Sequence, residues 1–163
     1  KMATVTFKGS PVATNGNLPE VGTSAPDFKL VGAGLNEISL ADFKGKKVLL
    51  NIFPSIDTGV CAASVRNFNK WAAAQENTVV VCVSKDLPFA ASRFCGAEGI
   101  ENVVTASDFR YNSFATDYGV LMSDGPLAGL MARSVVAIDE NGVVTYNQLV
   151  PEIVEEPSYE VKF

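Results

Sequence analysis

Two stretches of the chain are apolar at nearly every position. Residues Val48 to Phe53 and Thr78 to Ser84 read as strands buried on both faces. Between them, Cys61, Val65, Phe68 and Ala72 recur at helical spacing and predict an amphipathic helix that ends near Gln75 to Asn77. Strand, helix, strand in that order implies a right-handed crossover joining a parallel pair. Phe68 and Trp71 fall on core or half-core positions of that helix.

The flanking segments are shorter and punctuated by turn residues. Thr4 to Phe7 and Val12-Ala13, around Lys8 to Pro11, read as an N-terminal β-hairpin. Leu18 to Pro26 is a connector. Phe28 to Val31 and Glu37 to Leu40 predict two strands around Gly32-Ala33-Gly34, which is a plain turn because no phosphate-binding motif follows it. Ala41 to Lys46 is read as a helical turn or loop. Pro88 to Cys95 predicts a helix, with proline tolerated in its first turn. Val103 to Ala106 reads as a strand, Ser113 to Tyr118 as a short helix, and Gly119 to Gly129 as a loop. Ser134 to Ile138 and Val143 to Val150 flank Asn141-Gly142, a hairpin signal. Pro157 to Lys162 hints at a final helix. The expected result is one α/β domain over residues 1–163: a mixed central sheet flanked by helices, of thioredoxin-like architecture.

Composition narrows the function classes. The chain has 163 residues, 47% hydrophobic and 19% charged, which suits one globular domain. A formal charge of -5 argues against a general nucleic-acid or anionic-membrane surface. No apolar run reaches membrane-spanning length. The start lacks a basic-then-apolar signal pattern, although Lys1 ahead of Met2 reads as an added residue and leaves a removed targeting segment open. Three cysteines, an odd number, fit a reducing compartment better than a secreted disulfide scaffold. Cys61, Cys82 and Cys95 are widely spaced without a CxxC pair, so no metal site is expected.

Cys61 stands where the buried strand gives way to the helix. Helix N-termini favour a thiolate, through unpaired N–H groups and the dipole. With no histidine in the chain, activation of this thiol rests on backbone N–H groups, hydroxyls and cations. Thr58 is a good N-cap residue, and its hydroxyl either caps the helix or binds a substrate oxygen; the sequence leaves both open. Pro54 stiffens the preceding turn and shields the thiol from water. The plain alternative is a buried, inert cysteine, and that is the reading for Cys82, set among valines. Glu152, Glu155 and Glu156 read as a solvated acidic stretch.

Pro54-x-x-x-Thr58-x-x-Cys61 resembles the active-site signature of the peroxiredoxins. The longer string Phe53-Pro-Ser-Ile-Asp-Thr-Gly-Val-Cys-Ala-Ala-Ser64 resembles one subfamily, the bacterial thiol peroxidases. Val5 to Gly9, Gly22 to Phe28, Arg93 to Gly99, Met131 to Ser134 and Asp139 to Gly142 extend the likeness over nearly the whole chain, with no departure at a motif position. The resemblance implies that Cys61 is the peroxidatic cysteine and Cys95 the resolving one, bonding within the same chain. It also implies that Arg133, by default a solvated strand-end charge, holds the thiolate and polarises peroxide. Arg66 and Arg93 are rival cations, read as structural.

The expected activity is thiol-dependent reduction of hydrogen peroxide and of alkyl or lipid hydroperoxides, through a sulfenic acid and an intrachain disulfide, as antioxidant defence. The resemblance implies thioredoxin as reductant, a homodimer, and no cofactor. Partners among nucleic acids or membranes are not expected. A bacterial cytoplasmic location is expected, with the periplasm left open. Two rivals belong to other classes: a dithiol–disulfide exchanger acting on proteins, against which the missing CxxC counts, and a non-catalytic interaction module with structural thiols. Inertness toward peroxide is what either would show.

Overall fold

A computed structural model describes residues 2–163. Its centre is a seven-stranded mixed sheet in the order β4-β3-β7-β6-β5-β8-β9, with a separate two-stranded sheet of β1 and β2. The strands are β1 (Thr4–Phe7), β2 (Ser10–Ala13), β3 (Lys29–Gly32), β4 (Glu37–Ser39), β5 (Lys47–Ile52), β6 (Thr78–Ser84), β7 (Val104–Ser107), β8 (Ser134–Ile138) and β9 (Val144–Leu149). The helices are α1 (Gly59–Ala73), α2 (Pro88–Glu98) and α3 (Ser113–Asp117), with a 3-10 turn at Leu40–Phe43. This is the thioredoxin-like α/β arrangement with the N-terminal hairpin that the sequence pattern predicts.

The two continuous apolar runs occupy the middle of the sheet, where both faces are covered. Strands β5 and β6 are parallel, Lys47 pairing with Thr78 and Ile52 with Val83. On the other side of β5, β8 runs antiparallel, with Val48 opposite Ile138 and Ile52 opposite Ser134. One face of the sheet packs Leu30, Leu50, Ile52, Val81 and Val136 against Phe28, Phe114 and Tyr118. The opposite face packs Leu49, Val80 and Val135 beneath Cys61, Val65 and Phe68 of α1. Fully buried side chains of this size contribute roughly 1.5–3 kcal/mol each, so α1 is held on the sheet mainly by its Cys61, Val65, Phe68 stripe.

Three expectations need correction. Helix α1 ends at Ala73, because the following turn includes Asn77 in a left-handed conformation (φ 49°). Residues 157–162 form no helix. They run as an irregular strap, with Pro157 buried, Tyr159 set edge-on to Phe68 at 5.0 Å and Phe163 stacked on Trp71 at 6.2 Å. Aromatic anchoring to α1 prevails over a weak local helix preference in so short a segment. Glu152, read as solvated, is instead fully engaged in hydrogen bonds to the N-terminal hairpin and to Val154.

Candidate active site

The loop from Phe53 to Thr58 leaves the carboxyl end of β5 at the centre of the sheet and delivers the chain into α1. Thr58 has an extended backbone and caps α1, its hydroxyl oxygen accepting from the Cys61 N–H at 3.4 Å. The same hydroxyl donates to the Ser55 carbonyl at 3.1 Å. Cys61 therefore lies in the first helical turn, as the residue pattern predicts. Pro54 is buried beside it.

Arg133 immediately precedes β8, the strand paired with β5. Its side chain is buried, with 2% of the residue exposed, so the reading of a solvated strand-end charge does not hold. Nη2 lies 3.3 Å from Cys61 Sγ, and Nε donates to the Ile153 carbonyl at 2.9 Å. Nη1 is buried without a hydrogen-bond partner. A buried donor without an acceptor is costly, so Nη1 is a donor held in reserve at this site. A hollow of about 290 Å³ adjoins, lined by Phe7, Pro54, Thr58, Arg133, Ile153 and Val154. A larger hollow of about 370 Å³, lined by residues including Leu40, Phe43, Lys44 and Ile138, lies at the opposite end of β5 and contains no thiol.

A second, buried polar chain steadies the helix that carries Cys61. Asn51, on β5, donates through Nδ2 to Ser64 Oγ at 3.2 Å, and Ser64 Oγ donates to the Cys61 carbonyl at 2.7 Å. Asn51 also reaches Cys82 Sγ at 3.7 Å. Cys82 is a core thiol, pushed up to about 12 by burial, with the Asn51 contact acting in the opposite direction.

Cys95 lies on α2, half-buried against the same apolar cluster as Cys61. Burial raises its thiol above the ordinary value. All three thiols are free, so the structure has Cys61 and Cys95 unbonded. Helix α2 is weakly held. Its N-cap, Leu87, offers no side-chain hydrogen bond, Gly96 is a weak helix former in its interior, and Pro88 is its one buried residue. Two exposed ion pairs fasten it to the Cys61 segment: Arg66 with Glu98 at 2.6 Å, and Arg93 with Asp57 at 3.1 Å. Exposed pairs are worth about 0–1 kcal/mol, so this fastening is light. Both rival arginines are thus accounted for by ion pairing.

Asp86 is a participant the sequence reading missed. Its carboxylate accepts from Ser55 Oγ at 2.8 Å, the Ile56 N–H at 2.7 Å and Ser84 Oγ at 2.6 Å. It ties the loop before Cys61 to the connection leading into α2. An acidic residue just past a buried parallel strand, at the sheet end where sites gather, was the available signal. Among the described residues no cluster of three or more potential metal ligands occurs, and no helix is long and apolar enough to cross a membrane.

Comparison with known proteins agrees with this geometry. The Redoxin family model matches residues 20–162, a span that includes Pro54, Thr58, Cys61, Cys95 and Arg133. The thiol peroxidase of Corynebacterium glutamicum is 57% identical over 159 residues, covering 98% of this chain and 96% of its own. The thiol peroxidase of Mycobacterium tuberculosis is 59% identical, with 98% and 95% covered. Among solved structures, a peroxiredoxin-like protein from Aquifex aeolicus superposes with a TM-score of 0.92 at 45% identity, covering 98% of this chain and 93% of that one. A thiol peroxidase from Chromobacterium violaceum shares the fold, with a TM-score of 0.89 at 21% identity over 96% and 91% of the two chains. A match of this length and identity makes the chain a member of the redoxin family, in its thiol peroxidase group.

Proposed function

We propose that the chain is a thiol-dependent peroxidase in which Cys61 is the peroxidatic cysteine, Cys95 the resolving cysteine, and Arg133, Thr58 and Pro54 complete the site. The observation that carries this reading is the buried Arg133 guanidinium, with Nη2 on Cys61 Sγ and Nη1 free to donate.

In the first step the Cys61 thiolate attacks the distal oxygen of a hydroperoxide. The S–O bond forms as the O–O bond breaks, and the leaving alkoxide or hydroxide takes up a proton to become an alcohol or water. Charge migrates from sulfur to the departing oxygen. Arg133, permanently cationic, follows it with donors already in place, which is the stabilisation that lowers the barrier most in a dry site. The Cys61 N–H and the Thr58 hydroxyl become further donors once they turn from Thr58 Oγ1 and the Ser55 carbonyl toward the bound peroxide. Pro54 keeps bulk water off the thiol.

In the second step the Cys95 thiol displaces water from the Cys61 sulfenic acid, leaving an intrachain disulfide. Bridging needs the two Cα atoms within about 7 Å, and local rearrangement of α2 and the first turn of α1 is the expected route to that approach. The lightly fastened α2 suits that movement. An external dithiol, thioredoxin by family, returns the two electrons. Hydrogen peroxide and alkyl or lipid hydroperoxides are the substrates, and the apolar hollow beside Arg133 supports the bulkier ones. A homodimer and a bacterial cytoplasmic location complete the reading. Exposed Leu87, Phe89, Phe109 and Tyr111 offer apolar surface for self-association.

The test is peptide-resolved mass spectrometry after one equivalent of cumene hydroperoxide is added to fully reduced protein. A rapid Cys61–Cys95 disulfide with Cys82 still alkylatable is the expected result. Three unmodified thiols would sink the reading.

A further inference from the structure

Glu152 accepts four hydrogen bonds. Oε1 takes the Gly9 N–H at 2.8 Å and Thr6 Oγ1 at 3.0 Å, and Oε2 takes the Lys8 N–H and the Val154 N–H, each at 3.1 Å. Lys8 and Gly9 both have positive φ, 51° and 83°, which turns two successive N–H groups into one anion-binding concavity. The N–H groups of Val154 and Gly9 are the main reason that the carboxyl is held below the usual carboxylate range. Thr6 and Glu152 also form a parallel backbone bridge, with the Thr6 N–H on the Pro151 carbonyl at 2.7 Å and the Ile153 N–H on the Thr6 carbonyl at 2.8 Å.

What this carboxylate fastens matters more than the fastening itself. The neighbouring residue, Ile153, supplies the carbonyl that accepts from Arg133 Nε. Phe7 and Lys8 on one side of the clamp, with Ile153 and Val154 on the other, form the wall of the hollow facing Pro54 and Thr58. The carbonyl is the contact, apart from the thiol itself, that sets the rotation of the guanidinium. If it drifts, Nη1 and Nη2 lose their aim.

We propose that Glu152 is a positioning residue for the peroxide reaction: its carboxylate clamps the β1–β2 hairpin to residues 151–154, fixing both the Ile153 carbonyl that aims Arg133 and the apolar wall that meets the organic part of a hydroperoxide. The inference rests on the peroxidase reading above. Misplacement of a catalytic group by about 1 Å can cost about 100-fold in rate.

The experiment measures sulfenic acid formation at Cys61 by stopped flow, in a Cys95→Ser background that isolates the first step. Rates are normalised to reactive Cys61 thiol, for hydrogen peroxide and for cumene hydroperoxide. Glu152→Ala is expected to slow both by about 10- to 100-fold, with the larger loss for cumene hydroperoxide, whose bulk uses the wall. Glu152→Gln keeps the Oε1 acceptor for Gly9 and Thr6 but turns an amide NH2 toward the Lys8 and Val154 N–H groups, so an intermediate loss is expected, again larger for cumene hydroperoxide. A role confined to stability lowers the melting temperature and leaves both normalised rates and their ratio unchanged, and that result overturns the proposal. Should Glu152→Ala not fold, Glu152→Gln decides alone: an unchanged ratio overturns it, and a selective loss with cumene hydroperoxide supports it. If the Cys95→Ser protein with Glu152 intact does not oxidise at Cys61, it is the peroxidase reading that fails.

Discussion

Arg133 meets Cys61 at 3.3 Å in a contact from which solvent is nearly absent, Cys61 having no exposed surface and Arg133 only 2%. Charge interactions are strongest in such surroundings, because little water competes. Arg133→Lys keeps the positive charge but loses both the fork and the Nε bond to Ile153. We expect oxidation of Cys61 to slow by about 100-fold, the scale of losing one well-placed transition-state donor. Stopped-flow oxidation by cumene hydroperoxide measures it. A rate near that of the parent would remove Arg133 from the reacting atoms.

The Thr58 hydroxyl caps α1, and the bond to the Cys61 N–H is long at 3.4 Å. That length leaves room for the hydroxyl to turn toward a bound oxygen. Thr58→Val removes the oxygen, and a loss of about 1 kcal/mol in stability is expected from the missing cap. Peroxide reduction is expected to slow as well, and Thr58→Ser to restore both. Denaturant melts and peroxide kinetics on the two variants separate the roles: a change in stability alone would make Thr58 a cap and nothing more.

Gly96 lies inside α2 next to Cys95, and a Cβ at that position meets no atom within 4 Å. Gly96→Ala therefore stabilises the helix, by about 0.5–1 kcal/mol. On the mechanism proposed above, the first oxidation does not involve α2, whereas disulfide formation requires it to yield. The variant is expected to form the Cys61 sulfenic acid at the parent rate and to close the disulfide several-fold more slowly. Quenched-flow alkylation followed by peptide mapping resolves the two phases. Equal closure rates would mean that α2 need not unwind.

Alkaline pH bears on a different cysteine. Burial pushes Cys82 from 9.0 up to about 12. Below 9 the folded and unfolded chains both keep this proton, so nothing is lost. Between about 9 and about 12 the unfolded chain releases it while the folded one does not, so stability falls as pH rises. The integrated loss is on the order of 4 kcal/mol. Burial also raises Tyr159, to about 12, and Tyr118, so the parent declines for several reasons at once. Cys82→Val is expected to flatten the decline over that window, and urea melts on parent and variant at stepped pH read out the difference.

Much of this architecture was legible from hydrophobic pattern alone. Strand β6 has the predicted bounds, Thr78–Ser84, because a run of valines buried on both faces admits few alternatives. Cys61 was legible as a first-turn residue because Thr58 announces the cap. Other features depended on partners remote in sequence. Residues 157–162 carry no marker of the aromatic surface that Phe68 and Trp71 present to them, so a local helix was the natural reading. Glu152 was unreadable for the same reason: three of its four donors, at Thr6, Lys8 and Gly9, lie near the other end of the chain. The charge state of a carboxylate is written in the sequence, but the concavity that receives it is made by folding.

The pairing of Ile52 with Ser134 has a bearing on which changes of length the chain tolerates. Cys61 hangs from one end of β5 and Arg133 from the abutting end of β8, so the ladder between those strands acts as a ruler for the distance between nucleophile and cation. Deleting one residue from β8 slides that end by about 3.3 Å and turns the arginine to the opposite face of the sheet. Insertions in the outer loops leave the ruler untouched. Length variation compatible with activity is therefore expected at the periphery, and a single-residue deletion within β8 is expected to abolish peroxide reduction even where every side chain named in the site is retained.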